Sequence, residues 1–380
     1  MMIYSINAEV IDDICIVRSQ SATNIYETMD YIPGRVIWGA LAGLTGIKPG
    51  GVPPDEFIEV FYSGRVIFTN LYPSAADNAY VRTFPVPLSA RTKKSAPGFT
   101  NDECLSTKNG WGEGVCDWLI DGVPENVELE EWKQHPYFYT KDSGYKTIGH
   151  SLTYSMHHER DNLRGTTKKG RLFTRVNIAK GSRFVGYLKV MDGITGQAKR
   201  LIEELCKNIE VHPELYIGRK PGRIGLKITE AHDYYNDVGL NGPSDGRIKF
   251  TITCYSDTII TEDGKYFRYL SYIPSKLIEK ELSGVIKNCN LVRWFSSTTP
   301  VHGWHGVYRR PAEVEIAIQR GSAFLYEAEV ENGIDEDSLK EALKSLQFRG
   351  IGLRRSEGFG EIRINDPFHK ELAWRSGECQ

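Results

Sequence analysis

Two stretches of this 380-residue chain present the same features in the same order, and an internal repeat constrains a fold more tightly than any single motif. In the first, Lys180-Gly181-Ser182-Arg183-Phe184 opens a strand-like run and an amphipathic helical pattern covers residues 195–209. A basic glycine loop follows at Tyr216-Ile217-Gly218-Arg219-Lys220-Pro221-Gly222-Arg223. In the second, Arg320-Gly321-Ser322-Ala323-Phe324 opens the run and residues 335–346 are the helix. The loop then reads Phe348-Arg349-Gly350-Ile351-Gly352-Leu353-Arg354-Arg355-Ser356-Glu357-Gly358-Phe359-Gly360. Leu201, Ile202, Leu205 and Ile209 share one face of the first helix, as a helix lying on a sheet requires. A strand pattern opens each half, at residues 3–18 and 247–260.

The expected fold class is therefore α+β, with two ferredoxin-like (RRM-like) βαββαβ units in tandem and an irregular insertion in the first. The first unit spans 1–240 with its insertion at about 92–140, the second spans 245–368, and residues 369–380 form a C-terminal tail. Further strands are expected at 64–72, 80–88, 172–178 and 183–190. Tyr31-Ile32-Pro33-Gly34-Arg35-Val36-Ile37-Trp38-Gly39-Ala40-Leu41-Ala42 reads as a short buried helix. Its opening turn aims free backbone N–H groups and the Arg35 guanidinium the same way.

Charge inverts sharply along the chain. Residues 101–135 hold nine Asp+Glu against two Lys+Arg, whereas residues 141–190 hold eleven Lys+Arg against three Asp+Glu, a local excess of eight. Over the whole chain 47 basic and 49 acidic residues leave −2, so any basic footprint is local. An acidic insertion beside such a basic stretch is expected to face away from any phosphate ligand and meet protein subunits, because like charges cost binding energy.

The remaining composition narrows the class. No apolar run approaches the ~20 residues of a membrane span, and Met1-Met2-Ile3-Tyr4-Ser5-Ile6-Asn7 lacks the basic start of a signal peptide. A cytoplasmic protein is expected. The seven cysteines are scattered without a C-x-x-C pair, which fits reduced thiols. Cys104 and Cys116, with His135 further on, fall short of four tightly spaced zinc ligands, so neither metal nor cofactor is expected.

Both glycine loops follow a helix and precede a strand, which is the wrong context and spacing for a mononucleotide or dinucleotide loop. Glycines that admit close backbone approach, beside guanidinium forks, suit a polymeric phosphate backbone instead. The candidate RNA contacts are Arg35, His158, Arg160, Lys168, Lys169, Arg171, Arg219, Lys220, Arg223, Arg354 and Arg355. Tyr216 and Phe359, beside the loops, are candidate base-stacking rings. Tyr154, Phe173, Tyr187, Trp294 and Trp304 read as core aromatics of strands.

At these residues the chain resembles the RAMP superfamily of CRISPR-associated proteins. Tyr31-Ile32-Pro33-Gly34-Arg35 is similar to that superfamily's "IPG" helix start, and Gly352-Leu353-Arg354-Arg355-Ser356-Glu357-Gly358-Phe359-Gly360 to its glycine-rich loop. Val301-His302-Gly303-Trp304-His305 ahead of Pro311, with Arg320-Gly321-Ser322-Ala323-Phe324, is similar to two-RRM subunits of type III effectors. Residues 150–173 with Ile217-Gly218-Arg219 look most like the RAMP subunit specific to type III-D systems. The resemblance implies a non-enzymatic subunit that holds the 5′ handle of CRISPR RNA and contacts a large polymerase-like subunit and backbone RAMP subunits. The basic residue often found in the family at the Trp38 position is absent.

Histidines pose the enzyme question. Some RAMP proteins cleave repeat RNA by metal-free general acid–base chemistry, and His157 or His158 beside Arg160, Lys168 and Lys169 could supply it. A metal-independent endoribonuclease is the alternative function. Clustered carboxylates for a metal-dependent nuclease are lacking, with only Glu159 and Asp161 nearby.

Overall fold

The computed structural model describes residues 1–20, 25–47, 51–75, 80–92, 115–123, 129–133, 136–141, 144–149, 151–160, 167–218, 222–231, 237–240, 246–262, 265–305 and 310–371. The architecture is mixed α+β and rich in sheet. The first sheet is built from β1 (Met2–Val10), β2 (Val66–Phe68), β3 (Arg183–Val190), β4 (Glu214–Ile217) and β5 (Gly222–Glu230) in the spatial order β4-β5-β1-β3-β2. Every pairing along that path is antiparallel. Ile6, Ala8 and Val10 are buried on one face of β1 and alternate with half-exposed Asn7 and Glu9, the two-residue period of a strand covered on one side. Three helices cover that face: α1 (Gly34–Leu44), α2 (Asp55–Phe61) and α3 (Gly196–Val211).

The second sheet has β6 (Arg247–Cys254), β7 (Ile286–Phe295), β8 (Ala323–Val330) and β9 (Ile362–Ile364) in the order β7-β8-β6-β9, again antiparallel. Helices α4 (Ser275–Glu281) and α5 (Glu336–Arg349) cover it through Ile278, Leu339, Leu343 and Leu346. In both halves the middle strands are the first and third, and a helix separates the third from the last. The likeness extends beyond the strand, helix and glycine loop of the sequence repeat. Tyr31-Ile32-Pro33-Gly34-Arg35 and Tyr272-Ile273-Pro274-Ser275-Lys276 open α1 and α4, with the prolines as N-caps and both isoleucines fully buried. Asp192-Gly193-Ile194-Thr195 and Asn332-Gly333-Ile334-Asp335 both turn on a positive-φ glycine and end on an N-cap. Thr195 accepts from the Ala198 N–H at 3.2 Å and Asp335 from the Ser338 N–H at 2.8 Å.

Several expected boundaries move. The first strand stops at Val10, because Asp12 turns the chain and is held by Arg223, and a separate strand follows at Val17–Gln20. Of the strand expected at 80–88, Phe84–Pro85 pairs as a strand and Arg82 only bridges to Ser74, since Pro85 and Pro87 carry no N–H for a continuous ladder. The helix beginning after Pro33 buries only Gly34, Ile37 and Leu41, leaving Gly39, Gly43 and Leu44 exposed. The interruption of the first unit is longer than 92–140, because β2 and β3 are separated by residues 69–182. Its acidic part is not wholly irregular either. Strand Val115–Asp117 pairs with Ala90–Thr92, and Leu119 packs on Ala323 and Leu325 of β8. Nor does the second unit end at 368: His369 is buried between Asp117, at 3.0 Å, and Thr253, at 2.6 Å. Burial pulls the His369 imidazole down, but the Asp117 carboxylate outweighs this and raises it above its usual value. Residues 93–114, 124–128, 134–135 and 372–380, including Cys104 and His135, lie outside the described residues.

The halves meet over buried charge. Glu361, just before β9, receives Arg82 Nη1 at 2.8 Å and Nη2 at 2.7 Å, and Lys189 Nζ of β3 lies 3.5 Å away. All three are buried. The Arg82 guanidinium also lies over the rings of Tyr72, Phe84 and Tyr187, at 5.5, 5.8 and 4.9 Å. Burial opposes ionisation of Glu361, but its two cations win and hold its carboxyl below the usual range. Burial pushes the Lys189 ammonium down to about 8 despite Glu361. Removing the carboxylate would strand two buried cations, whereas removing Lys189 leaves the Arg82 fork intact. Glu361→Gln is therefore expected to cost about 3–5 kcal/mol and Lys189→Met to be neutral or stabilising, as denaturant melts would show. Between pH ~8 and the ordinary lysine value the unfolded chain binds the extra proton, so the Lys189 contribution to stability should rise with pH there and vanish in Lys189→Met.

Candidate nucleic-acid interface

The second glycine loop leaves α5 at Gly350 and returns to the sheet at Glu361. Its ends are pinned by Ile351 N–H to Gly360 O at 2.9 Å, Leu353 N–H to Ile259 O at 2.9 Å and Gly360 N–H to Asp257 O at 3.0 Å. The loop lies across the seam between the halves. Gly358 has φ +92°, and a Cβ there would stand 2.7 Å from Phe68 O and 3.0 Å from the Gly34 Cα, so only glycine fits. A Cβ on Gly34 would in turn meet Phe68 O at 2.0 Å. The Gly34 N–H donates to Asn70 Oδ1 at 2.9 Å, and the Gly64 N–H to Ser356 Oγ at 3.1 Å.

This geometry engages the loop's arginines internally. Arg354 donates to Glu357 from Nε at 2.9 Å and from Nη2 at 2.6 Å, and its Nη1 pairs with Glu315. Its guanidinium lies 4.9 Å from the Phe359 ring, which is buried. Arg354 and Phe359 therefore face one another, and neither presents an open fork or ring. Arg355 donates to Arg349 O at 3.4 Å and lies over Gly64; burial lowers its pKa.

The first loop differs. Arg223 is held by Asp12, Nε to Oδ2 at 2.7 Å, and by Glu214 at 3.2 Å, and its hydrogen bond keeps the Asp12 carboxyl below the usual range. Tyr216, its register partner across β4 and β5, is 67% exposed. Arg219 and Lys220 lie outside the described residues. The basic stretch 141–190 contributes a hairpin, Leu152–Arg160 with Thr167–Ile178, to a separate four-stranded sheet with Val17–Gln20 and Ile25–Thr28. On one face the His157 ring stacks on Phe173 at 5.2 Å, with Tyr26 edge-on at 5.5 Å and the Arg175 guanidinium 5.2 Å from the same ring. His157 Nε2 is 3.1 Å from Ser155 Oγ. Tyr154 and Met156 point the other way and are 73% and 72% exposed. His158, Arg160, Lys168, Lys169 and Arg171 belong to the two strands of the hairpin by their backbones, and their side chains fall outside the described part of the structure.

Arg35 stands at the first turn of α1 and donates from Nη1 to His302 O at 2.6 Å. The sequence pattern assigns Tyr154 and Trp294 to the core, yet both are exposed, Trp294 on the edge strand β7. A signal for Tyr154 exists in the sequence: Leu152, Tyr154 and Met156 alternate with Thr153, Ser155 and His157, which gives the hairpin one apolar and one polar face. The Arg354 partners are legible only in part, because Glu357 is three residues away and Glu315 thirty-nine.

No family model matches the sequence, and neither does any curated protein. Solved structures that are similar include a chain of a type III-B Cmr-beta complex bound to cognate target RNA, at 11% identity over 90% of this chain and 94% of that chain, TM-score 0.41. A Cas6 product complex is similar at 11% identity over 96% and 100%, TM-score 0.39. Oligomeric Cmr4 from Pyrococcus furiosus is similar at 13% identity over 61% and 100%, TM-score 0.28.

The intramolecular fork of Arg354 makes a prediction separable from RNA. Arg354→Ala should lower stability by about 1–3 kcal/mol, and a double-mutant cycle with Glu315→Gln should show coupling. Arg354→Lys should recover only part of the loss, since lysine keeps the charge but not the two-pronged contact with Glu357.

Proposed function

We propose that the chain is an RNA-binding RAMP subunit of a CRISPR effector ribonucleoprotein, most like the subunit specific to type III-D systems. In this reading each sheet with the helices packed on it is a ferredoxin-like unit, and the protein holds the 5′ handle of CRISPR RNA beside a large polymerase-like subunit and backbone RAMP subunits. One observation carries it: the most basic stretch of the chain supplies the hairpin of a sheet separate from the two repeated ones, with a stacked His157–Phe173 pair on one face and exposed Tyr154 on the other. Cations interleaved with aromatic faces on a strand surface suit single-stranded RNA, where phosphate contacts supply affinity and rings take bases. The proposed contacts are His158, Arg160, Lys168, Lys169 and Arg171 on the hairpin, Tyr216, Arg219, Lys220 and Arg223 at the first loop, and Arg35 at the seam. Arg354, Arg355 and Phe359 act through the shape of the second loop.

The test is a gel-shift titration of the purified chain with labelled repeat RNA in EDTA. Retardation without cleavage is expected. Tyr216→Ala should weaken binding by about 1–3 kcal/mol without lowering the melting midpoint, and Lys168→Ala with Lys169→Ala should lower the salt slope by about 0.7 per lost contact. Discrete products lost in His157→Ala or His158→Ala would establish the endoribonuclease instead, and absence of any shift would refute RNA binding.

A further inference from the structure

A cleft opens where α1, the second glycine loop and the strand Thr298–Val301 converge. Among the described residues three carboxylates and three guanidinium groups line it, and their pairing is uneven. Asp30 is gripped by Arg320 at 2.7 and 3.0 Å, and Glu357 by Arg354. Asp257 has no cationic side chain at ion-pair distance among the described residues. Its Oδ1 accepts the Arg320 backbone N–H at 2.9 Å, and its Oδ2 meets only the Tyr31 hydroxyl, at 3.4 Å, which is long for an O–H donor. Acceptor capacity therefore remains on a largely buried carboxylate that faces the cleft.

Arg35 is the converse. Of its five N–H donors one bond is formed, to His302 O, and no carboxylate lies within ion-pair distance among the described residues. Burial holds its pKa below the ordinary arginine value. Arg18 lines the same cleft and is exposed. One wall thus offers spare guanidinium donors and another a spare carboxylate acceptor.

That combination selects among ligands. A bare anion would be repelled by Asp257, a bare cation by Arg35 and Arg18, and a neutral sugar would leave both arginines unused. A nucleotide carries both halves of the complement: phosphate oxygens that accept, and ribose hydroxyls that donate. Within an RNA strand the 3′ and 5′ oxygens are esterified, so the 2′-hydroxyl is the sugar's one donor, and DNA lacks it.

We propose that this cleft takes the sugar–phosphate edge of one internal nucleotide of a bound RNA, with its base outside, the 2′-hydroxyl donating to Asp257 and an adjoining phosphate held by Arg35 and Arg18. The proposal rests on the RNA-binding reading of the chain and makes the cleft the place where ribose is told from deoxyribose.

The test compares a fluorescein-labelled twelve-nucleotide oligouridylate with the oligodeoxyuridylate of equal length, titrated against the full chain. The ribose strand should bind about tenfold or more tightly, the worth of one hydrogen bond to a charged acceptor. Asp257→Asn keeps an oxygen for the Arg320 N–H and replaces the second with a donor. It should bring the ratio close to one while the deoxyribose strand binds at least as tightly as before, since a negative charge near its phosphates is removed. Arg35→Gln should weaken both strands alike and flatten the plot of log K against log salt by about 0.7. Equal binding of the two strands to the native chain overturns the proposal and leaves RNA binding standing, whereas binding of neither overturns both. A preference that survives in a cooperatively melting Asp257→Asn also overturns it. If that variant does not fold, Arg35→Gln decides, and an unchanged affinity there refutes the site.

Discussion

A carboxylate sunk in protein must bring its own cations, and Glu361 takes both of its partners from the other half of the chain. Arg82 reaches it from the long interruption and Lys189 from the central region of the first sheet, so three distant parts of the sequence are bound by one charge requirement. The rings of Tyr72, Phe84 and Tyr187 around the guanidinium exclude water, which strengthens the ionic contacts and makes loss of the shared carboxylate costly. Next to Glu361 in sequence, the second glycine loop can then lie on Phe68 and Gly34 without a side chain between the backbones. Arg320 adds a second tie, with its guanidinium on Asp30 and 4.5 Å from the Tyr31 ring. The cleft between the halves inherits its shape from these contacts.

The same contacts explain why basic loops in sequence need not be basic surfaces in space. Arg354 and Arg223 each sit in glycine-rich runs that suggest phosphate, and each is met by two carboxylates. The cations of the hairpin belong to a sheet of their own, outside both repeated units.

The repeat was legible because turn chemistry is local. Lys180-Gly181-Ser182 and Arg320-Gly321-Ser322 write the same turn into both halves, and the caps at Thr195 and Asp335 and the two Tyr-Ile-Pro sequences, equivalent only once the fold is seen, extend it. The helices at 196–211 and 336–349 followed from apolar spacing, and each ran two or three residues past its expected C-terminus, because no proline or glycine intervenes before Val211 and Gly350 stops the second. Long-range partnership was not legible. Nothing near Asp117 announces His369, and nothing near Arg82 announces Glu361, since the patterns that mark strands and helices carry no address for the side chain across the interface. For the same reason the acidic stretch read as an irregular insertion, although Leu119 and Asp117 are buried against the second half.

The order of strands in the first sheet also has a kinetic consequence. Strand β1, the earliest element of the fold in sequence, pairs with β3 and β5 and with no described strand before residue 183. During synthesis its apolar face waits through more than a hundred and seventy residues for a partner, while the second sheet closes within residues 247–364. Loop-closure entropy of this size slows the docking of β1, and the nascent first half exposes an unpaired apolar strand in the meantime. Assembly of the chain therefore runs from late-made segments back onto an early one, and a strand translated before the others of its sheet is among the last parts to acquire its neighbours.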